Sequence, residues 1–393
     1  MRKLLVVIPI VLLIITFVWF YSQRPAQRPF LEAYGVRALS LFPDGKVVVV
    51  STFKSTGEGF LTVYSANGTP LWNLTPCNCG TLYSTYWDNV LYARVSPNGK
   101  YLGVVTINKF ILYREDGTLL WEKKNPLSRN LWSDGSQWAS VQFTNDSRYV
   151  AFGVTASKSV FQVFSTNGKL LLNGTAQGIT GMKVSDDGVY LMEDFLFSKG
   201  IMGSKLIYYG FNGSKWSIEF PSGSPRAIDV LKTANRTYVA YADCMLGITL
   251  IKGGKVLWNR DNGTCYWDVA FWRGRIYAAT SMRLVDVYSI DGRLLSTIRT
   301  PEFGGIPTLL PAPRKILLLQ KILLPSDNRK WVVDVLIINS TGDIIKVKSL
   351  EGFPASDFLS HITADYRRGR LILGVIKEPG RYEKYEIYLI PVN

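Results

Sequence analysis

The chain has 393 residues, a formal net charge of +15, four cysteines and one histidine. Its basic residues are spread along the whole length, with no dense Lys/Arg run interleaved with aromatics, so nucleic acid is not the default partner. A single histidine, no G-x-S-x-G elbow and no Cys-x-x-Cys-His motif leave triad chemistry and covalent haem without their residues.

The first element is apolar. Arg2 and Lys3 precede Leu4 to Phe20, seventeen residues without a charge, and Tyr21 extends the run. That length is at the short end of a membrane span. No small-residue cleavage pattern or lipobox cysteine follows, and Trp19 and Tyr21 suit the membrane interface. Pro9 is tolerated in such a helix, because neighbouring groups re-satisfy the backbone it frees. Residues 1–21 therefore read as an uncleaved transmembrane signal anchor, 22–28 as a tether and 29–393 as one folded domain. Positive residues flank both ends of the run (Arg2 and Lys3, then Arg24 and Arg28), so the positive-inside rule does not orient it.

From residue 35 two turns alternate. The first precedes an apolar run, as in Phe42-Pro43-Asp44-Gly45-Lys46-Val47-Val48 and Ser96-Pro97-Asn98-Gly99-Lys100-Tyr101-Leu102. The second precedes a tryptophan, as in Ala66-Asn67-Gly68-Thr69-Pro70-Leu71-Trp72 and Glu115-Asp116-Gly117-Thr118-Leu119-Leu120-Trp121. Asn-Gly and Asp-Gly supply the positive φ that tight hairpins need, and the flanking runs are β-branched and aromatic. Strand, turn, strand, strand, turn, strand is one four-stranded sheet, and its recurrence marks a β-propeller. First-type turns recur at Asn145-Asp146, Asp186-Asp187, Asn235-Arg236, Arg273-Gly274, Arg314-Lys315 and Arg368-Gly369; second-type turns recur at Asn167-Gly168, Asn212-Gly213, Gly253-Gly254, Asp291-Gly292 and Thr341-Gly342.

The last unit supplies only three strands, near 358–365, 370–376 and 382–391. A ring cannot leave that edge bare. The segment Pro29-Phe30-Leu31-Glu32-Ala33-Tyr34 is the spare strand, so the expected fold is all-β: an eight-bladed propeller closed by an N-terminal strand, with seven blades as the alternative. Trp72, Trp121 and Trp258 share one outer-strand position and read as structural. The chain would then enter at the face bearing the tight turns, leaving the face of the inter-blade connections pointing away from the membrane.

The Ser-Pro-Asn-Gly-Lys-Tyr-Leu turn resembles WD40-like propellers, and the Asp-Gly-Thr-Leu-Leu-Trp hairpin resembles the quinoprotein-like (PQQ-repeat-like) propellers, across about residues 35–393. The resemblance implies the fold. Quinoprotein dehydrogenases carry adjacent paired cysteines; Cys77-Asn78-Cys79 departs from that pattern, so the redox activity does not come with it.

Candidate sites follow from this frame. Tyr86, Trp87 and Asp88, then Trp132, Asp134 and Trp138, then Tyr266, Trp267 and Asp268 sit in or beside inter-blade connections, where aromatics next to short acids can stack on sugars or anchor a peptide; packing between blades is the competing reading. Glu193, Asp194 and Asp243 are hard oxygen ligands near strand ends and a candidate Ca2+ set, although no repeated acid spacing supports it and no other cofactor is expected. Cys244 is expected to pair with Cys265; Cys77 and Cys79 form a small ring, bind metal with other ligands or stay reduced, the disulfide being favoured. His361 reads as structural. Asn-x-Ser/Thr occurs at Asn67, Asn73, Asn145, Asn173, Asn212, Asn235, Asn262 and Asn339, eight of eighteen asparagines, which points to glycosylation. With 6 Met, 1 His and abundant Lys, Arg and Tyr, the composition is that of a thermophile, and with the sequons and anchor it fits an archaeal envelope. The function expected is a single-pass, extracytoplasmic, non-catalytic module that binds or scaffolds a protein or glycan. The alternative is an extracytoplasmic enzyme, either a quinoprotein-like oxidoreductase or a carboxylate-based lyase or glycosidase.

Overall fold

The computed structural model describes residues 29–53, 59–75, 89–128, 138–196, 202–300, 307–323, 331–352, 364–378 and 383–392. The anchor and tether expected at 1–28, Cys77 and Cys79, Tyr86, Trp87 and Asp88, Trp132 and Asp134, and His361 lie outside these residues.

The described strands form eight four-stranded antiparallel sheets. Seven follow one another along the chain: blade 1 over residues 38–74, blade 2 over 90–124, blade 3 over 138–176, blade 4 over 179–220, blade 5 over 225–260, blade 6 over 266–299 and blade 7 over 307–352. Blade 8 takes Ala364–Arg367, Arg370–Glu378 and Lys384–Pro391 from the C-terminal part of the chain. Its outermost strand is Leu31–Tyr34, with Leu31 opposite Ile387 and Tyr34 opposite Lys384. The described part of the inner strand of blade 8 is Ala364–Arg367; the 358–363 part read from the sequence lies outside the described residues.

Middle strands such as Val47–Thr52 are buried on both faces, because each blade is covered by a neighbour on either side. The apolar interior is accordingly divided into eight clusters, each shared by two adjacent blades. The eighth joins blade 1 (Leu39, Val47, Val49) to blade 8 (Ile372, Ile387).

The Gly…Trp repeat is an interlock between neighbours. The outer-strand tryptophan of one blade lies on the hairpin glycine of the next: a Cβ on Gly117 would meet Trp72 at 3.1 Å, one on Gly168 would meet Trp121 at 3.1 Å, and one on Gly292 would meet Trp258 at 2.9 Å. These glycines also have φ of 90°, 86° and 84°, so a side chain is opposed twice, by strain and by contact. Trp121 Nε1 donates to Thr166 O at 3.0 Å and Trp258 Nε1 to Ile290 O at 2.9 Å. Trp216 belongs to the same set, lying 2.9 Å from a Cβ built on Gly254. Where blade 3 carries Leu172 instead, a Cβ built on the hairpin glycine of blade 4, Gly213, would meet nothing within 4 Å among the described residues. At the junction of blades 8 and 1 the covering group is Phe30, whose ring lies 3.8 Å from a Cβ on Gly68.

The interlock has a measurable consequence. Trp121 also packs against Phe152 and Phe164. Trp121→Leu keeps an apolar side chain but loses the Thr166 bond and most of the ring contact, so it is expected to cost about 2 kcal/mol in denaturant unfolding. A loss within a few tenths of a kcal/mol would remove the interlock from the forces holding blades together.

Candidate functional site

Alternation along a strand sorts the acidic candidates. Glu193 and Asp194 are adjacent on Gly188–Leu196, so their side chains leave on opposite faces of blade 4. Glu193 is buried toward blade 3, where it accepts from Gln177 N and lines an outer groove with Lys158, Lys205, Tyr209 and Lys215. Asp194 turns toward blade 5 and feels the charges of Asp243 and Arg226. The expected trio of oxygen ligands is therefore split, and among the described residues no three His, Cys, Asp or Glu side chains come together. Asp243 is fully buried and caps its own turn, accepting from Met245 N at 2.7 Å and Leu246 N at 3.1 Å.

Several expected binding residues are seam residues. Tyr266 is fully buried; its hydroxyl donates to Asp286 Oδ2 at 2.6 Å. Trp138 packs between blades 3 and 4, its ring 2.7 Å from a Cβ on Gly153. Asp268 Oδ2 accepts from Leu309 N of blade 7 at 2.7 Å, which ties one inner strand to the next. The same device recurs with Asp229 and Phe271 N at 2.8 Å, Asp365 and Leu41 N at 2.8 Å, and Ser40 Oγ and Val95 N at 3.1 Å. In each case an inner-strand side chain accepts the free backbone donor of the next blade. No sequence spacing exposed this pattern, because two acceptors are needed at unlike positions and one is a serine.

Trp267 is different. The inner strand of blade 6 has a bulge between Tyr266 and Asp268, so Trp267 has no partner in the ladder. Blade 5 repeats it between Pro225 and Ala227, expelling Arg226, and blade 4 between Ile179 and Gly181, expelling Thr180. A bulge re-aims the extra side chain, here toward the connection face at the start of three successive inner strands. Arg226 lies over the Trp267 ring at 4.4 Å, a cation–π contact. Arg226 Nε and Asp194 Oδ1 are buried with no hydrogen-bond partner. The wall beside them is stapled by the Cys244–Cys265 disulfide, which joins a turn of blade 5 to the entry of blade 6 as expected. The site is thus Thr180, Asp194, Arg226 and Trp267. Arg226 and Thr180 were missed because a bulge leaves no mark in one sequence.

The sequons sort by place. Asn67, Asn145, Asn212, Asn235 and Asn339 sit in tight hairpins, and all eight are exposed except the half-buried Asn339. In Asn67, Asn212 and Asn339 the Oδ1 accepts both the amide and the hydroxyl of the Ser or Thr two residues on, as at 3.0 and 2.6 Å from Ser214. Asn-Gly-Ser/Thr is therefore also a turn lock, a structural reason for the abundance of the motif. Asn262 Nδ2 is engaged by buried Asp286 at 2.9 Å. Asn73 and Asn173 stand on outer strands.

No family model matches the sequence, and no curated relative is found for it. The computationally designed protein Ika8 overlays with TM-score 0.59 at 14% identity, covering 92% of this chain and 100% of its own. Sqt1 of Saccharomyces cerevisiae overlays with TM-score 0.57 at 11% identity, covering 93% and 100%. BamB of Moraxella catarrhalis gives TM-score 0.46 at 13% identity over 72% and 80%. The first two likenesses are of fold alone: a β-propeller.

Burial and the charge of Asp243 hold the Asp194 carboxyl up at about 6, against the pull of Arg226. Burial likewise lifts Asp268 to about 7, against two backbone donors and Lys183. A carboxyl whose pKa is raised by folding binds its proton more tightly when folded, so stability falls as pH rises from about 4 to 7. The thermal midpoint should be higher near pH 5 than near pH 8. Asp194→Asn should narrow that gap and stabilise the protein at the higher pH by about 1 kcal/mol, allowing for partial exposure. A gap unaltered by the substitution would place the proton on another group.

Proposed function

We propose that the chain is a membrane-anchored, extracytoplasmic propeller that binds a protein or glycan partner without catalysis, through the connection face of blades 4 to 6. The observation that carries this reading is the trio expelled by bulges: Thr180, Arg226 and Trp267. Blade 2 has the same irregularity, but its expelled Leu91 packs into a seam; in blades 4 to 6 the expelled side chains leave Thr180 exposed and Arg226 and Trp267 half-exposed. An indole face suits a sugar ring or an apolar peptide group, and a guanidinium suits a partner's carboxylate.

Attachment to a bilayer is supported by the run Leu4 to Phe20. Among the described residues no helix is long and apolar enough to cross a membrane, so the anchor rests on that run alone. The Cys244–Cys265 disulfide supports an oxidising, extracytoplasmic compartment. Leu31–Tyr34 serves in this reading as a latch that keeps the ring shut and joins it to the anchor. Of the sequons, Asn73 and Asn173 on the outer wall are the sites best placed to carry glycans.

The partner site is tested on the full chain in lipid nanodiscs, by capture from envelope extracts and quantitative mass spectrometry. Arg226→Glu and Trp267→Ala should each lower recovery of the specific partner at least about tenfold, the loss expected of a central hot spot. Capture of an acidic partner should strengthen as pH falls through about 6, because protonation of Asp194 removes the negative charge beside Arg226. Equal recovery by both variants and the parent would reject this face as the binding surface.

A further inference from the structure

The outer strands share a feature that the partner site does not use. Just beyond the second hairpin of six blades an aliphatic side chain is left in solvent: Leu71 is 50% exposed, Leu119 49%, Leu170 44%, Leu257 47%, Leu294 55% and Ile345 53%. Each follows its hairpin glycine by two or three residues. In blade 7 Ile345 is paired with Ile337 and the bulge falls further along the strand; the outer strands of the other five carry one at this level, for example between Val63 and Tyr64 opposite Leu71 and between Leu112 and Tyr113 opposite Leu120. Two successive aliphatic residues there face one residue of the partner strand, so they cannot both tuck under the next blade. The result is a broken ring of apolar side chains on the rim of one face, too regular to be scattered surface leucines.

The centre of that face is basic. The turns joining the first and second strands of the blades hold eight basic residues against four acidic ones. Two of the acids are neutralised within their own turns, Asp44 by Lys46 at 3.0 Å and Asp146 by Arg148. Lys100, Arg236, Arg273, Arg314 and Arg368 are exposed there and form no ion pair with a described acid. The described chain also begins on this side, since Phe30 lies against the hairpin of blade 1 at Gly68.

We infer that this hairpin face rests on an anionic lipid surface, with the basic turns over the headgroups and the aliphatic rim dipping to the acyl boundary. The inference rests on the anchor proposed above and adds to it a fixed orientation. Aliphatic side chains combined with cationic groups are the chemistry of interfacial membrane binding, and neither a polar partner nor bulk water gives the apolar ring a place to go. Carbohydrate on the hairpins would hold the face off the bilayer, so Asn67 and Asn212 should be unmodified.

The test uses the full chain in vesicles of phosphatidylcholine with or without phosphatidylglycerol, probed by hydroxyl-radical footprinting. Leu119, Leu170 and Leu294 should lose labelling several-fold in the anionic vesicles relative to the neutral ones. Met245 and Met282, 63% and 54% exposed in turns of the opposite face, should label equally in both. The surface variant Lys100→Glu, Arg314→Glu, Arg368→Glu should restore labelling of the leucines while the chain stays with the vesicles through a carbonate wash. That wash reads the anchor and the footprint reads the face. A chain that survives the wash with its leucines labelled equally in both lipids, or with Met245 and Met282 protected instead, overturns the lipid-facing orientation alone. A chain that is stripped by the wash overturns the anchor, and with it the orientation if the leucines are also unprotected. Glycan found on Asn67 or Asn212 of the native protein overturns the orientation as well.

Discussion

At five of the eight seams one blade is held to the next by an aromatic ring pressed onto a hairpin glycine, and much of the molecule follows from that contact. The glycine is needed for its positive φ, and the same missing Cβ gives the tryptophan of the preceding blade a place to lie. Turn chemistry and inter-blade packing are therefore one constraint, not two. Because each contact is local to one seam, the core can be divided into eight separate clusters without any blade having a core of its own.

Such a frame tolerates substitution at single seams. Blades 3, 6 and 7 offer Leu172, Ser296 and Lys346 where blades 1, 2, 4 and 5 offer tryptophan, and the space beside Gly213 is left open. The inner strands add a second set of ties at four seams, in which Ser40, Asp229, Asp268 and Asp365 accept a backbone donor from the neighbouring blade. A carboxylate in that place satisfies a buried N–H but must itself be desolvated, which is why Asp268 titrates near 7.

The blade count and the disulfide partner were legible in the sequence because both depend on period: Asn/Asp-Gly turns mark strand ends, and Cys244 and Cys265 fall on neighbouring connections. The site was only half legible. Tyr266, Trp267 and Asp268 are consecutive and look alike as candidates, yet one is core, one is surface and one is a tie. What separates them is a bulge, a property of two paired strands that neither strand's residues announce. Glu193 and Asp194 failed as a ligand pair for a simpler reason, since strand alternation alone sends them to opposite faces. The sequons carry two meanings at once, because Ser or Thr after Asn-Gly serves the turn as well as it would serve a glycosyltransferase.

The first strand links these features. Phe30 takes on Gly68 the place that tryptophan takes elsewhere, and Leu31–Tyr34 then supplies the fourth strand that blade 8 lacks. A segment doing both must run from the hairpin face toward the connection face, since it is antiparallel to Lys384–Pro391. The described chain thereby begins on the hairpin side, where the aliphatic rim and the basic turns are. The bulge-expelled trio opens on the other side. The strand that completes the last blade thus starts on the face of the aliphatic rim and ends toward the face of the trio, so the two surfaces lie at opposite ends of one four-residue segment.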